Sequence, residues 1–400
     1  MFLQRMRSML ARRDFLRLSL GTTASAASLA VLNQTIGSNK LPMQDTPHHN
    51  PGAMGELQIP DAVGTASAHA HGNAMLVGAV DPQANGFDPM QLLVDWDYGT
   101  VSTLPSGQRL REFNIVAADK EIEIAPGIHF PAWTYNARVP GPTIRCSEGD
   151  RIRIHFYNGS SHPHTMHFHG IHTAEMDGVT GIGIGEIQSG QSFTYEFDAI
   201  PFGCHLYHCH AAPLKRHIHK GLYGAFIVDP AQGRPPAREF MMMMNAFDTN
   251  FDNENEVYAV NTVGHEFARR PIPIQVGEKV RLYLINITEF DPINSLHLHA
   301  EFFDYYDHGT TLEPTHRMVD TIMQCQAQRG LVEFSYRWPG LYMFHAHQSE
   351  FAELGWMGFF KVLSPSDWAT GLAEANVDTD WDQRGVTGNT VDPESKEVVR

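Results

Sequence analysis

Four His-X-His pairs carry the chemistry most legible in this chain: His167-Phe168-His169, His208-Cys209-His210, His297-Leu298-His299 and His345-Ala346-His347. On a β-strand, residues i and i+2 leave the same face, so each pair aims two imidazoles at one point. One such pair means little in a chain with 23 histidines. Four pairs, one of them enclosing a cysteine, point to a site that holds several copper ions. Neutral imidazole suits copper, and a cysteine with two histidines and a weak axial ligand is the blue-copper arrangement. Three further pairs fall outside this set. His69-Ala70-His71 lies in a Gly/Ala/Ser-rich stretch and reflects composition. His162-Pro163-His164 and His217-Ile218-His219 flank Cys209 in the sequence.

The elements that must position these residues are short strands. From about residue 108 the chain alternates with period two, as in Glu112-Phe-Asn-Ile-Val-Ala and Lys120-Glu-Ile-Glu-Ile. A turn and strands follow from Pro140-Gly-Pro-Thr-Ile to Asn158, and a weaker copy runs from Arg270 to Asn286. In both copies a His-X-His follows closely and another lies some tens of residues on, which is a repeat of domain size. The expected fold is all-β, with β-sandwich domains over 108–230 and 236–364, joined by the Pro/Gly-rich linker Asp229-Pro-Ala-Gln-Gly-Arg-Pro-Pro236. The Met241–Met244 run reads as a strand entering a core.

The formal charge of −16 argues against nucleic acid as the main partner. No apolar run beyond the leader is long enough to predict a transmembrane span. Residues 1–30 read as an export signal: Ala11-Arg12-Arg13-Asp14-Phe15-Leu16-Arg17 is a twin-arginine pattern followed by an apolar run. The expected location is periplasmic or secreted. Residues 31–107 lack periodicity and are expected to form an extended arm, with Gln91–Tyr98 as a short ordered piece. Residues 365–400 are acidic and are expected to be a solvated tail or a strap over a neighbour. Besides Cys209, the chain has Cys146, Cys204 and Cys325. These are expected to be buried small residues, and a Cys146–Cys204 bridge is not decided by sequence.

Pro140-Gly-Pro-Thr-Ile144, His164-Thr-Met-His-Phe-His-Gly170 and His208-Cys-His210 resemble the multicopper oxidase family, in particular its two-domain, laccase-like members with the blue copper in the first domain. The similarity covers about residues 108–364. It implies two cupredoxin-like Greek-key sandwiches. It implies a type 1 copper held by His164, Cys209 and His217, with His219 as the rival to His217. The axial position, five residues past His217, is Leu222, which cannot coordinate; a missing axial ligand raises the copper potential. By the same resemblance His167 and His297 hold a type 2 copper. His169, His208, His210, His299, His345 and His347 hold a type 3 pair. Ala346 stands where the first domain has Cys209, so the second domain carries no blue copper and the expected total is four coppers per chain. The implied reaction oxidises a phenol-like or metal-ion donor and reduces O2 to water. Asp177 and Glu350 are the candidate carboxylates for moving protons. The implied assembly is a homotrimer with the three-copper clusters at its interfaces.

Two other functions compete. Copper nitrite reductases share the two domains and the type 1 spacing, but they carry an Asp where this chain has His167 and lack a histidine at His210. A non-catalytic copper-binding or electron-transfer protein needs only the type 1 set, which leaves eight paired histidines without a purpose.

Overall fold

A computed structural model of the chain describes residues 78–387. The export pattern, His69-Ala70-His71 and the last residues of the tail lie outside them. Strands form four sheets among the described residues, two in each half of the chain. In the first half one sheet orders Trp96–Asp97, Thr143–Ser147, Tyr223–Asp229, Gly203–His208 and His167–Phe168. The other is built on Arg109–Ala125, Arg151–Asn158 and Ser192–Asp198. This is the all-β class expected from the period-two pattern.

The repeat seen in the sequence is a repeat of topology. Arg109–Ala125 pairs in parallel with Arg151–Asn158, which pairs antiparallel with Ser192–Asp198. Ala237–Phe247, Val280–Asn286 and Arg329–Phe334 repeat that order. In the facing sheets Thr143–Ser147 runs parallel to Tyr223–Asp229, and Ile272–Gln275 runs parallel to Met357–Leu363. Parallel neighbours cannot be joined by a hairpin, so each domain needs long crossovers between its two sheets. In each domain the histidine pairs lie where two strands of one sheet meet in register, His167 opposite His208 and His297 opposite His345.

The methionine run is a buried strand with two dry faces. Met242 and Met244 enter the core of the second domain, and Met241 and Met243 enter a core shared by both domains. Alternation along the strand produces this division. A buried ion chain reinforces the joint. Arg145 bonds Asp229 of the first domain and Glu239 of the second, and Glu239 also pairs with Arg281. Each charge is satisfied by a partner, the condition for burying it at all.

Three expectations need correction. The arm is structured from residue 82 onward: Met90, Leu93 and Val94 are buried in the second domain's core, and Trp96–Asp97 and Thr100–Thr103 join sheets of the first. The acidic tail is not solvated over 368–387. It forms helices Trp368–Glu374 and Thr379–Gly385, and Val386–Thr387 pairs with Ala237–Arg238 of the same chain. Cys325 is exposed, because it lies on the outward face of the alternating strand Thr321–Cys325. Cys146 and Cys204 are buried and free.

Trp381 shows how tail and arm are tied down. It is fully buried against Phe240, and its indole N–H donates to the Met90 carbonyl at 2.8 Å. Trp381→Ala is expected to cost about 3–5 kcal/mol of stability. A urea titration that finds the unfolding midpoint unchanged would show that the tail is peripheral. No helix among the described residues is long and apolar enough to cross a membrane.

Candidate metal centre

Cys209 follows the strand Gly203–His208 and is fully buried. Its sulfur lies 3.2 Å from His217 Nδ1 and 3.9 Å from His164 Nδ1, and the two imidazole nitrogens are 3.1 Å apart. His164 sits in the crossover before His167–Phe168, and His217 on the helix Leu214–His219. The structure therefore places His217, not His219, beside Cys209. His219 Nε2 instead accepts the Asp248 N–H, and its ring packs against Phe130, Phe251 and Phe290.

The surroundings settle which nitrogen of His164 faces the sulfur. Ser160 Oγ donates to Asp119, so it accepts from His164 Nε2–H at 2.8 Å, leaving the Nδ1 lone pair inward. Such an outer partner fixes tautomer and ring orientation of a metal ligand. Burial, with His217 close by, pushes His164 down to about 3, and burial pushes His217 down to about 4. Both are neutral imidazoles with a lone pair to give. Burial pushes the Cys209 thiol up to about 11, while the Thr165 N–H, 3.3 Å away, favours the thiolate. Two lone pairs and a sulfur crowded together in a dry site are mutually uncomfortable, and a soft cation between them removes the conflict. The donor set fits copper. Leu222 is fully buried in the same core cluster, and its carbonyl accepts the Cys209 N–H.

The second set faces the other way from the same strand. His167 pairs in register with His208, and its ring centre lies 5.2 Å from that of His208 and 5.3 Å from that of His210. His169 Nε2 and His208 Nε2 are 2.9 Å apart. His208 Nδ1 donates to the Cys209 carbonyl at 3.0 Å, and His167 Nδ1 to the Asp177 carbonyl at 2.9 Å. A carbonyl only accepts, so both rings carry their lone pair on Nε2, toward the cluster. Burial lowers His208 to about 3, and burial and the nearby His208 lower His169 to about 2. Asp177 Oδ1 also lies 2.9 Å from His167 Nδ1 and 3.5 Å from His172 Nε2.

The second domain repeats this geometry. His297 pairs in register with His345, and His299 Nε2 lies 3.0 Å from His345 Nε2. His345 Nδ1 donates to the Ala346 carbonyl, and His297 Nδ1 to the Asp320 carbonyl. Thr165 Oγ1 accepts the His210 N–H, and Ser295 Oγ accepts the His347 N–H in the matching place. This half is more open: His299 and His347 are exposed, whereas His208 is buried. Among the described residues the two histidine sets form separate groups. Glu350 is exposed on the helix Ser349–Glu353, and among the described residues no hydrogen bond or ion pair joins its side chain to a histidine.

Sequence reasoning missed the residues that orient the ligands. Asp119 and Ser160 fix His164, and Trp133 packs 5.2 Å from His164 and 4.9 Å from His217. Asp119 and Trp133 have no short-range signature, because each reaches the site from a distant strand, and Ser160, four residues before His164, is a common turn residue with no spacing that marks it. His172, three residues past His169, was the one with a readable spacing.

Multicopper oxidase models match residues 117–233 and 234–366. A solved structure described as a multicopper oxidase is 56% identical, with a TM-score of 0.70; the similarity covers 71% of this chain and 100% of that one. A blue copper oxidase from Nitrosomonas europaea is 26% identical with a TM-score of 0.57, over 63% of this chain and 86% of that one. A copper-containing nitrite reductase from Neisseria gonorrhoeae is 29% identical over 255 residues, 57% of this chain and 62% of the relative. The chain thus spans about three-fifths of the length of such curated relatives. With a family match across both sandwiches and a donor set suited to copper in each, the chain belongs to the multicopper oxidase family.

Proposed function

We propose that this protein couples the one-electron oxidation of a reducing substrate to the four-electron reduction of O2 to water. When bound, copper supplies single-electron transfer at the cysteine site and O2 reduction at the histidine cluster. In this reading Cys209, His164 and His217 hold a type 1 copper, with Leu222 in a non-coordinating axial place. His167 and His297 hold a type 2 copper, and His169, His208, His210, His299, His345 and His347 hold a type 3 pair. The observation that carries the reading is the position of Cys209. Its sulfur faces His164 and His217, while its chain neighbours His208 and His210 face His167. Electrons therefore have a covalent path of one residue between the two sites.

The separated halves support an assembly between chains. Each chain presents four histidines at the end of each domain, and the second-domain set is open to solvent. A head-to-tail contact brings the first-domain set of one chain against the second-domain set of the next. Such a heterologous contact closes into a ring or grows without limit, and from the family resemblance we infer closure at three subunits, a homotrimer. Asp177, holding His167, and Glu350, on the open half, are the carboxylates assigned to proton movement. The twin-arginine pattern over residues 1–30 supports export to the periplasm or beyond.

The test is elemental analysis with oxygen uptake. The expected protein is blue, carries about four coppers per chain and consumes O2 with a phenolic donor. Two coppers per chain with turnover of nitrite would overturn the reading in favour of a nitrite reductase, the activity named for the Neisseria relatives.

A further inference from the structure

The helix Leu214–His219 has two faces with different environments. Inward, His217 reaches Cys209. Outward, the helix and the following Lys220 line a cavity of about 460 Å³ between the two domains. Lys215, Arg216 and Lys220 bring three cations to it, and Phe251 and Phe290 of the second domain bring aromatic walls. Lys215 Nζ lies 5.0 Å from the Phe290 ring centre, and Lys220 Nζ 5.1 Å from that of Phe251. In a chain of net charge −16 this is a locally cationic hollow.

Three details point to a missing anion. Lys220 is buried, and its ammonium faces the rings of Phe130, Trp133 and Phe251, with no hydrogen bond or ion pair to a carboxylate among the described residues. Burial, with Arg216 nearby, pushes it down to about 8, despite the charge of Asp119; an anion in the cavity reverses that shift. Asp248 is the one carboxylate in the lining, and its oxygens already accept the N–H groups of Phe251, Asp252 and Asn253. A further detail concerns the aromatic walls. Phe251 and Phe290 are held at φ +64° and +72°, where bulky residues are rare and strain marks functional sites.

We propose that this cavity receives the reducing substrate and selects an aromatic anion, a phenol bearing a carboxylate or sulfonate, over a metal cation. Its ring lies against Phe251 and Phe290, and its anionic group meets Lys220 and Arg216. The electron then has a short way to the copper site through the same helix. Each phenol loses one electron and its hydroxyl proton to become a phenoxyl radical. Four such electrons and four protons reduce one O2 to two waters. The fate of the donor rests on the oxidase reading above; its binding rests on the cavity alone.

The experiment uses the copper-loaded full chain and two measurements. Titration calorimetry follows p-toluenesulfonate, which is not oxidised. Oxygen uptake compares syringate with syringol, which lacks the carboxylate. Lys220→Gln and the rim variant Lys215→Glu are each expected to weaken p-toluenesulfonate binding about tenfold. Both are expected to lower kcat/KM for syringate several-fold more than for syringol. Lys215 is exposed, so its variant tests the charge without disturbing the core. Absence of binding heat in the unaltered protein, or equal losses on both donors, overturns the proposal. Binding that responds to both variants in a protein that oxidises neither donor supports the cavity and removes the oxidase reading instead.

Discussion

Cys209→Ser is expected to give a colourless protein that retains copper in its histidine cluster and consumes no O2. The sulfur is the only soft donor facing His164 and His217, and a hydroxyl supplies neither the charge nor the covalency of a thiolate. The site is dry, with Cys209 and His164 fully buried, so no solvent ligand takes its place readily. The second set is held independently. His208 and His167 are oriented by backbone carbonyls and not by the sulfur, so their geometry survives the change. Copper content is expected to fall by about one ion per chain. Visible absorption, copper analysis and oxygen uptake read the three parts separately, and a variant that stays blue refutes the assignment of Cys209.

The second large effect is recovery of activity from two inactive proteins. His167→Ala/His169→Ala destroys the first-domain half, and His297→Ala/His299→Ala destroys the second-domain half. Each variant alone is expected to be inactive. Co-expressed, they are expected to form mixed rings in which some interfaces join an intact first-domain half to an intact second-domain half. With equal, random mixing that is about a quarter of the interfaces. Copper then bridges chains, so its removal is expected to loosen the ring as well. Mixed assemblies that remain inactive, or sedimentation of an active monomer, remove the shared cluster.

Much of the site was legible because its ligands come in local pairs on strands. His208 and His210, or His297 and His299, need only the two-residue alternation of a β-strand to converge, and that alternation is visible in any sequence. The same rule misleads where the local structure is not a strand. His217-Ile218-His219 has the same spacing but lies on a helix, where residues two apart diverge by about 200°. One ring therefore meets Cys209 and the other meets the Asp248 loop. The arm and tail were misjudged for a related reason. Their buried contacts rest on a few anchors, Met90, Leu93 and Trp381, in segments too short to show a period.

By itself the sequence determined the all-β class, the internal repeat, the paired histidines and the contrast between Cys209 and Ala346, since each depends on residue type and short-range spacing. Only the tertiary structure decided the rest. It chose His217 over His219, set Asp119 and Ser160 behind His164, and turned Cys325 outward. It kept the two histidine sets apart within one chain, and it assembled the cationic, aromatic hollow from a first-domain helix and second-domain loops. Asp119 behind Ser160, His217 beside His164 and the two walls of the hollow are relations between segments tens of residues apart, and no local pattern records which distant groups the packing of two sandwiches will make neighbours.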